Sequence, residues 1–205
     1  MSEQQKKTRA EVKQSRKEAI LQALAVELEQ HPGERVTTAR LAKRLAVSEA
    51  ALYRHFPSKA RMYEELIDFA EETILGLIHK ILQQETQTVV RCEKMLMVLL
   101  QFSTKNPGIS SILVGTALTG EREKLRQRVN QFFERLETQL KQILREGELT
   151  VGQAGGRPVA EIANLLLSIV EGHIQQFVRS GFRRSPIQNW SKQWPIILPI
   201  LAIYQ

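Results

Sequence analysis

Residues 37–59 read TTARLAKRLAVSEAALYRHFPSK, and their reading decides the fold. Thr37 and Thr38 can cap a short helix holding Leu41, Ala42 and Leu45, and Ser48 can cap a second through Leu52 to Arg54. The Ala46-Val47 link leaves Leu41, Leu45, Val47 and Leu52 facing inward, with small Ala42 where the helices cross. This is helix-turn-helix spacing, in which the second helix can enter a major groove while the first lies across the backbone. Spacing alone also fits two short helices of an ordinary bundle. The turn carries Ala46 where the motif commonly has glycine at positive φ, a strain of roughly 1–2 kcal/mol if Ala46 is left-handed.

Working outward, helical periodicity recurs and no alternating strand is convincing, so the fold class is all-α. Upstream, Ser15 and Glu18 form a capping box for a helix holding Ile20, Leu21, Leu24, Ala25 and Leu28, ended by His31-Pro32-Gly33. Downstream, a long helix runs from Ser58 to about Gln84 with Met62, Leu66, Phe69, Ala70, Leu77 and Ile81 on one broad face. The next, Thr88 to Lys105, is apolar all round at Met95–Leu100 and should be the most buried element. Asn106-Pro107-Gly108 stops it, and a short turn of helix is expected over Ile109–Val114. Leu125, Val129, Phe132, Phe133, Leu136, Leu140, Ile143 and Leu144 then form one continuous helical stripe. Gly147 to Arg157 holds four glycines and reads as a flexible loop. Pro158 opens a helix to about Ser180, with Gly181 as its C-cap, and Pro195 and Pro199 interrupt a final apolar segment from Trp190 to Tyr204. The expected organisation is a three-helix head with a basic arm over residues 1–61 and a helical dimerisation and partner-binding body over 62–205.

Charge is concentrated on that head. Of 205 residues, 29 are Lys or Arg and 22 Asp or Glu; the first 61 residues hold 13 and 7 of these, the remainder 16 and 15. A basic head beside a nearly neutral body suits a polyanion, either nucleic acid or an anionic membrane surface, although a solvated tail gives the same count. Lys6, Lys7, Arg9, Lys13 and Lys17 read as a mobile basic arm adding sequence-independent attraction. One cysteine, Cys92, excludes a disulfide framework and suits a reducing compartment. No apolar run approaches the roughly 18–20 residues of a bilayer span, which points to a cytoplasmic protein. Phosphate loops, nucleophile elbows and paired-carboxylate motifs are missing, and His79, His173 and Cys92 lack companions at ligand spacing. No enzyme activity, metal or cofactor is expected.

The segment SEAALYRHFPSKARMYEELI resembles the signature of TetR-type regulators, in which the recognition helix is followed by an aromatic, a basic residue, His-Phe and a Pro-Ser-Lys entry into the next helix. Together with TTARLAKRLA, Asn106-Pro107-Gly108, NQFFERLETQLKQILRE (130–146) and FVRSGF (177–182), it is similar to the nucleoid-occlusion branch of that family over nearly the whole chain. The resemblance implies a nucleoid-associated homodimer that binds palindromic sites in double-stranded DNA. It also implies that the DNA-bound form antagonises the tubulin-like division protein FtsZ, so that septa do not close over the nucleoid.

Candidate sites follow. Ser48, Glu49 and Ala50 open the recognition helix, where side chains reach base edges. Tyr53, His55 and Lys59, with Thr37 and Thr38, are placed to donate to phosphates. The stripes of the last two long helices exceed what a thin monomeric bundle buries. Leu125, Val129, Phe133, Leu136, Leu140 and Ile169 are therefore expected at a C2 interface, with recognition helices about 34 Å apart. The resemblance further implies a groove for an FtsZ tail peptide between the Ser58–Gln84 and Thr88–Lys105 helices. Phe69, Val98 and Gln101 would line it, with Lys105 and Asn106 at its rim. An apolar floor with a basic edge suits a peptide of mixed apolar and acidic character, although Phe69 and Val98 also fit a plain core, and Leu77 stands where a basic residue would serve better. Two other functions fit the chain: a ligand-responsive repressor, and an enzyme or structural bundle whose basic head is incidental.

Overall fold

The computed structural model describes residues 3–121, 123–150 and 158–204. Among the described residues the α-helices are, in order, α1 Glu3–Gln30, α2 Thr38–Arg44, α3 Glu49–Tyr53, α4 Lys59–Gln84, α5 Thr88–Lys105, α6 Pro107–Leu113, α7 Glu123–Thr150, α8 Val159–Arg179 and α9 Trp190–Ile197. A 3-10 turn at Thr116–Leu118 precedes α7, and another at Leu198–Tyr204 follows α9. There is no strand among the described residues.

The head is α1 to α3 with the start of α4. Ser15 does not begin a helix, because α1 already runs through it from Glu3. Gln14 donates to Glu18 one turn on, at 2.9 Å, so Glu18 serves an i,i+4 bridge instead of a capping box. The expected mobile arm is accordingly helical backbone. The C-terminal half of α1 buries Ile20, Ala23, Leu24 and Leu28 against α2, α4 and α6. Its approach to α6 is backbone to backbone: a Cβ on Gly108 would fall 2.0 Å from the Ala25 carbonyl oxygen, so only glycine fits there.

In α4 the buried face is Met62, Tyr63, Leu66, Ile67, Ala70, Ile74 and Ile78. This corrects the expected face, since Phe69 and Leu77 are exposed and Ile81 is half-buried. Tyr63, Ile67, Ile74 and Ile78 repeat at spacings of four, seven and four and outcompete the stripe inferred from larger residues. At the end of α4, Arg91 donates from Nε to the Glu85 carbonyl at 2.6 Å and from Nη2 to the Leu82 carbonyl at 3.2 Å, satisfying helix-end acceptors that would otherwise lack partners. The most buried element is α6 rather than α5, with Gly108 to Leu113 all buried. In α5, Met97 and Val98 are only half-buried.

The α7 stripe forms as expected, but it is consumed inside the protomer. Leu125, Val129, Leu136 and Leu140 are buried against α4, α5 and α8, which removes the surplus from which a dimer interface was inferred; Phe133 and Ile169 stay half-buried at the edge of α7 and α8. Glu71 of α4 is buried and takes Arg128 and Arg135 of α7, with Asp68 accepting from Arg128 at 2.8 Å. Gly147 to Thr150 continue α7, so the expected loop is shorter at its start; residues 151–157 lie outside the described set. Gly181 ends α8 at φ 62°, Phe182 follows at φ 64°, and the Phe182 amide donates to the Phe177 carbonyl at 3.0 Å. His173 meets Trp190 edge-on at 6.0 Å, and burial pushes the Cys92 thiol up to about 12, so it packs as a small apolar group.

Candidate nucleic-acid interface

The motif is built from caps. The Thr37 side chain accepts from the Arg40 amide at 3.3 Å, Ser48 from Ala51 at 3.3 Å and Ser58 from Arg61 at 3.2 Å, so α2, α3 and α4 each start on a hydroxyl. Between α2 and α3, Ala46 sits at φ 53°, in the left-handed region where the motif commonly has glycine, and the Val47 amide donates back to the Ala42 carbonyl at 3.0 Å. Leu41 and Leu52 are buried beneath this turn.

The face so presented carries Thr37, Ser48, Glu49, Ala50 and Tyr53, all exposed, with Tyr53 at 46%. Thr38 is half-buried and donates from Oγ1 to the Glu49 carboxylate at 2.5 Å, across from α2 to α3. His55 is half-buried below them. Burial first, and then the charges of Arg16, Lys13, Arg54 and Lys17, hold its pKa below the ordinary histidine value. The same cations line one flank of the head: Lys13, Arg16 and Arg54 are exposed, and Lys17 lies over the Phe56 ring at 5.3 Å.

Lys59 departs from its expected role. Its side chain is 17% exposed, and its ammonium donates to the Val36 carbonyl at 2.9 Å and pairs with Glu121. It therefore ties the head to the segment before α7 instead of reaching for a phosphate. Buried Glu27, which sequence reading missed, anchors Arg40 at 2.7 Å and also Arg44, clamping α2 onto α1. A carboxylate one residue before Leu28 on an apolar face, facing arginines four residues apart, was the available signal.

On the body, Phe69 is 49% exposed, with its ring 6.2 Å from Phe102. Gln101 and Lys105 are exposed and Val98 and Asn106 half-buried, the Asn106 amide donating to the Phe102 carbonyl at 2.8 Å. Phe69, Lys105 and Asn106 share a surface cleft of about 370 Å³ that opens toward Leu21, Ala25 and Ile109; Val98 and Gln101 stand outside its lining. No described helix is long and apolar enough to cross a membrane.

Residues 20–66 match the bacterial regulatory proteins of the tetR family, and residues 86–202 the tetracyclin repressor-like C-terminal domain of the SlmA-like type. The chain is 53% identical to the nucleoid occlusion factor SlmA of Shewanella halifaxensis over 92% of its length and 95% of that protein. It is 55% identical to the SlmA of Shewanella sediminis over 89% and 93%. Among solved structures, the TetR-family transcriptional regulator PfmR of Thermus thermophilus superposes with a TM-score of 0.70 at 23% identity, covering 88% of this chain and 97% of that one, a likeness of fold. The match extends through both the head and the body, and the chain belongs to the SlmA family of nucleoid occlusion factors, DNA-binding regulators of the TetR type and not enzymes.

Proposed function

We propose that the chain acts as a homodimer on near-palindromic chromosomal DNA and, while bound there, holds the tail of FtsZ and blocks septum formation over the nucleoid. The observation that carries this reading is the layout of α4. The helix starts beneath the DNA-facing head at Ser58 and, ten residues and about 15 Å beyond Lys59, exposes Phe69 beside Lys105. One rigid element thus serves a polyanion-binding head and a surface that sets Phe69 beside Lys105, with Glu18 and Glu29 of α1 lining the same cleft. The names of the relatives support the same output.

The dimer is supported by α8. Glu161, Leu165, Ser168, Gly172, Gln175 and Arg179 recur at alternating spacings of four and three on its open side, and Leu165 is 46% exposed. Small Ser168 and Gly172 at the centre suit close pairing of two copies of the helix about a two-fold axis.

The test uses Phe69→Ala and Lys105→Ala, each assayed for duplex binding and for binding an FtsZ tail peptide. Retained DNA binding with lost peptide binding supports the groove; loss of both, or of neither, removes it. Chromosome-wide mapping of bound sites separates occlusion, with scattered sites avoiding the replication terminus, from a local repressor bound at one or two promoters.

A further inference from the structure

Several carboxylates of the head and the start of α4 are held by arginine: Glu27 and Glu34 by Arg40, Glu64 and Glu65 by Arg61. Glu49 is treated differently. Its Oε2 accepts from the neutral hydroxyl of Thr38 at 2.5 Å, and the residue is exposed on the face that meets DNA. A carboxylate facing a polyanion is repelled unless the duplex gives it a hydrogen bond. In the major groove only the exocyclic amines of cytosine and adenine can donate one. Adenine sets the N7 acceptor beside its amine, which repels a carboxylate, whereas cytosine has no acceptor on that edge. Thr38, having one O–H, occupies Oε2 and leaves Oε1 free.

We infer that Glu49 reads the amine of a cytosine in each half-site, and that Thr38 is its positioning residue and not a phosphate contact. The inference rests on α3 being the helix that enters the major groove. It assigns one specificity determinant, Glu49, and one hydroxyl, Thr38, that acts only through it. Arg40 and Arg44 of α2 are held by Glu27 and do not pair with Glu49.

The test is selection from a randomised duplex pool with the full-length wild type, Glu49→Ala, Thr38→Val and Thr38→Ser, each first shown to melt like wild type and to bind bulk DNA at low salt. The wild type is expected to enrich a site with cytosine at one symmetry-related pair of positions. Glu49→Ala should flatten that preference by about tenfold and leave the other positions intact. Thr38→Val should weaken the same positions, and Thr38→Ser should keep them. A Glu49→Ala profile identical to wild type, or one that tightens equally on every sequence, overturns the assignment of Glu49 and reduces the Thr38 bond to a tie between helices. A wild-type profile from Thr38→Val overturns the positioning role. If the wild type itself enriches no sequence, the groove-reading role of α3 fails, an outcome distinct from either of these.

Discussion

Lys59 Nζ lies 2.5 Å from the Glu121 carboxylate and 2.9 Å from the Val36 carbonyl, so the loop before α2, the start of α4 and the segment before α7 meet at one ammonium. Removing either partner leaves a mostly buried charge exposed to no counterpart. Glu121→Gln and Lys59→Ala are each expected to lower stability by about 2 kcal/mol in a urea titration. The slope of log affinity against log salt should stay unchanged in Lys59→Ala, because no phosphate contact is lost. A slope shallower by about one unit would return Lys59 to the phosphate contacts.

His55 gives a pH dependence with opposite signs for folding and binding. Its pKa in the folded chain lies below the ordinary 6.5, so the unfolded state takes up a proton first as pH falls. Its contribution to stability is full above about 6.5 and is lost as pH drops through the lower folded value. Phosphates on the flank of Arg16, Lys13, Arg54 and Lys17 offset the repulsion and favour the charged ring. Duplex affinity should therefore rise between pH 7.5 and 6 with net proton uptake, measured by calorimetry in buffers of different ionisation enthalpy. His55→Gln should abolish the uptake; equal uptake in both proteins would place the titrating group elsewhere.

The two leucines Leu136 and Leu165 separate core from interface. Leu136 is fully buried in the protomer, so Leu136→Asp is expected to cost several kcal/mol and unfold the chain. Leu165→Glu should leave the melting profile nearly intact and yield monomers in sedimentation. A folded Leu165→Glu dimer would exclude the open face of α8 as the contact.

Ala46→Gly should stabilise the head. Relief of roughly 1–2 kcal/mol of left-handed strain exceeds the roughly 0.4–1 kcal/mol of added unfolded-state entropy. A net gain of about 1 kcal/mol is expected in thermal unfolding, and a loss would mean that the Ala46 methyl makes contacts outweighing its strain.

Local rules carried most of the fold. Thr37, Ser48 and Ser58 each cap the helix expected of them, because a cap is decided by the next three residues. What sequence missed depends on neighbours distant in the chain. Phe69 looked like core on size and spacing, yet α4 turns Tyr63 and Ile67 inward in its place. The α7 stripe was read correctly as apolar and wrongly as surplus, since its width only has meaning once α4, α5 and α8 are known to surround it. Lys59 matched a motif position, but its partner Glu121 lies 62 residues away and no local pattern announces the pair. Arg40 and Arg44 likewise counted toward a basic head while spending their charge on Glu27.

The continuity of α1 from Glu3 to Gln30 changes how its cations meet DNA. A tether samples many positions and loses that freedom when it binds; a helix of 28 residues, about 42 Å long, has lost it on folding. Lys13 and Arg16 ride that rod at fixed spacing, so they add attraction without a further ordering cost, but only along the line the rod points. In the proposed complex such a comb would touch the phosphates of one stretch of backbone and would not thread a minor groove. The protected length of duplex is thereby set by the angle of α1 and not by how many residues precede the motif.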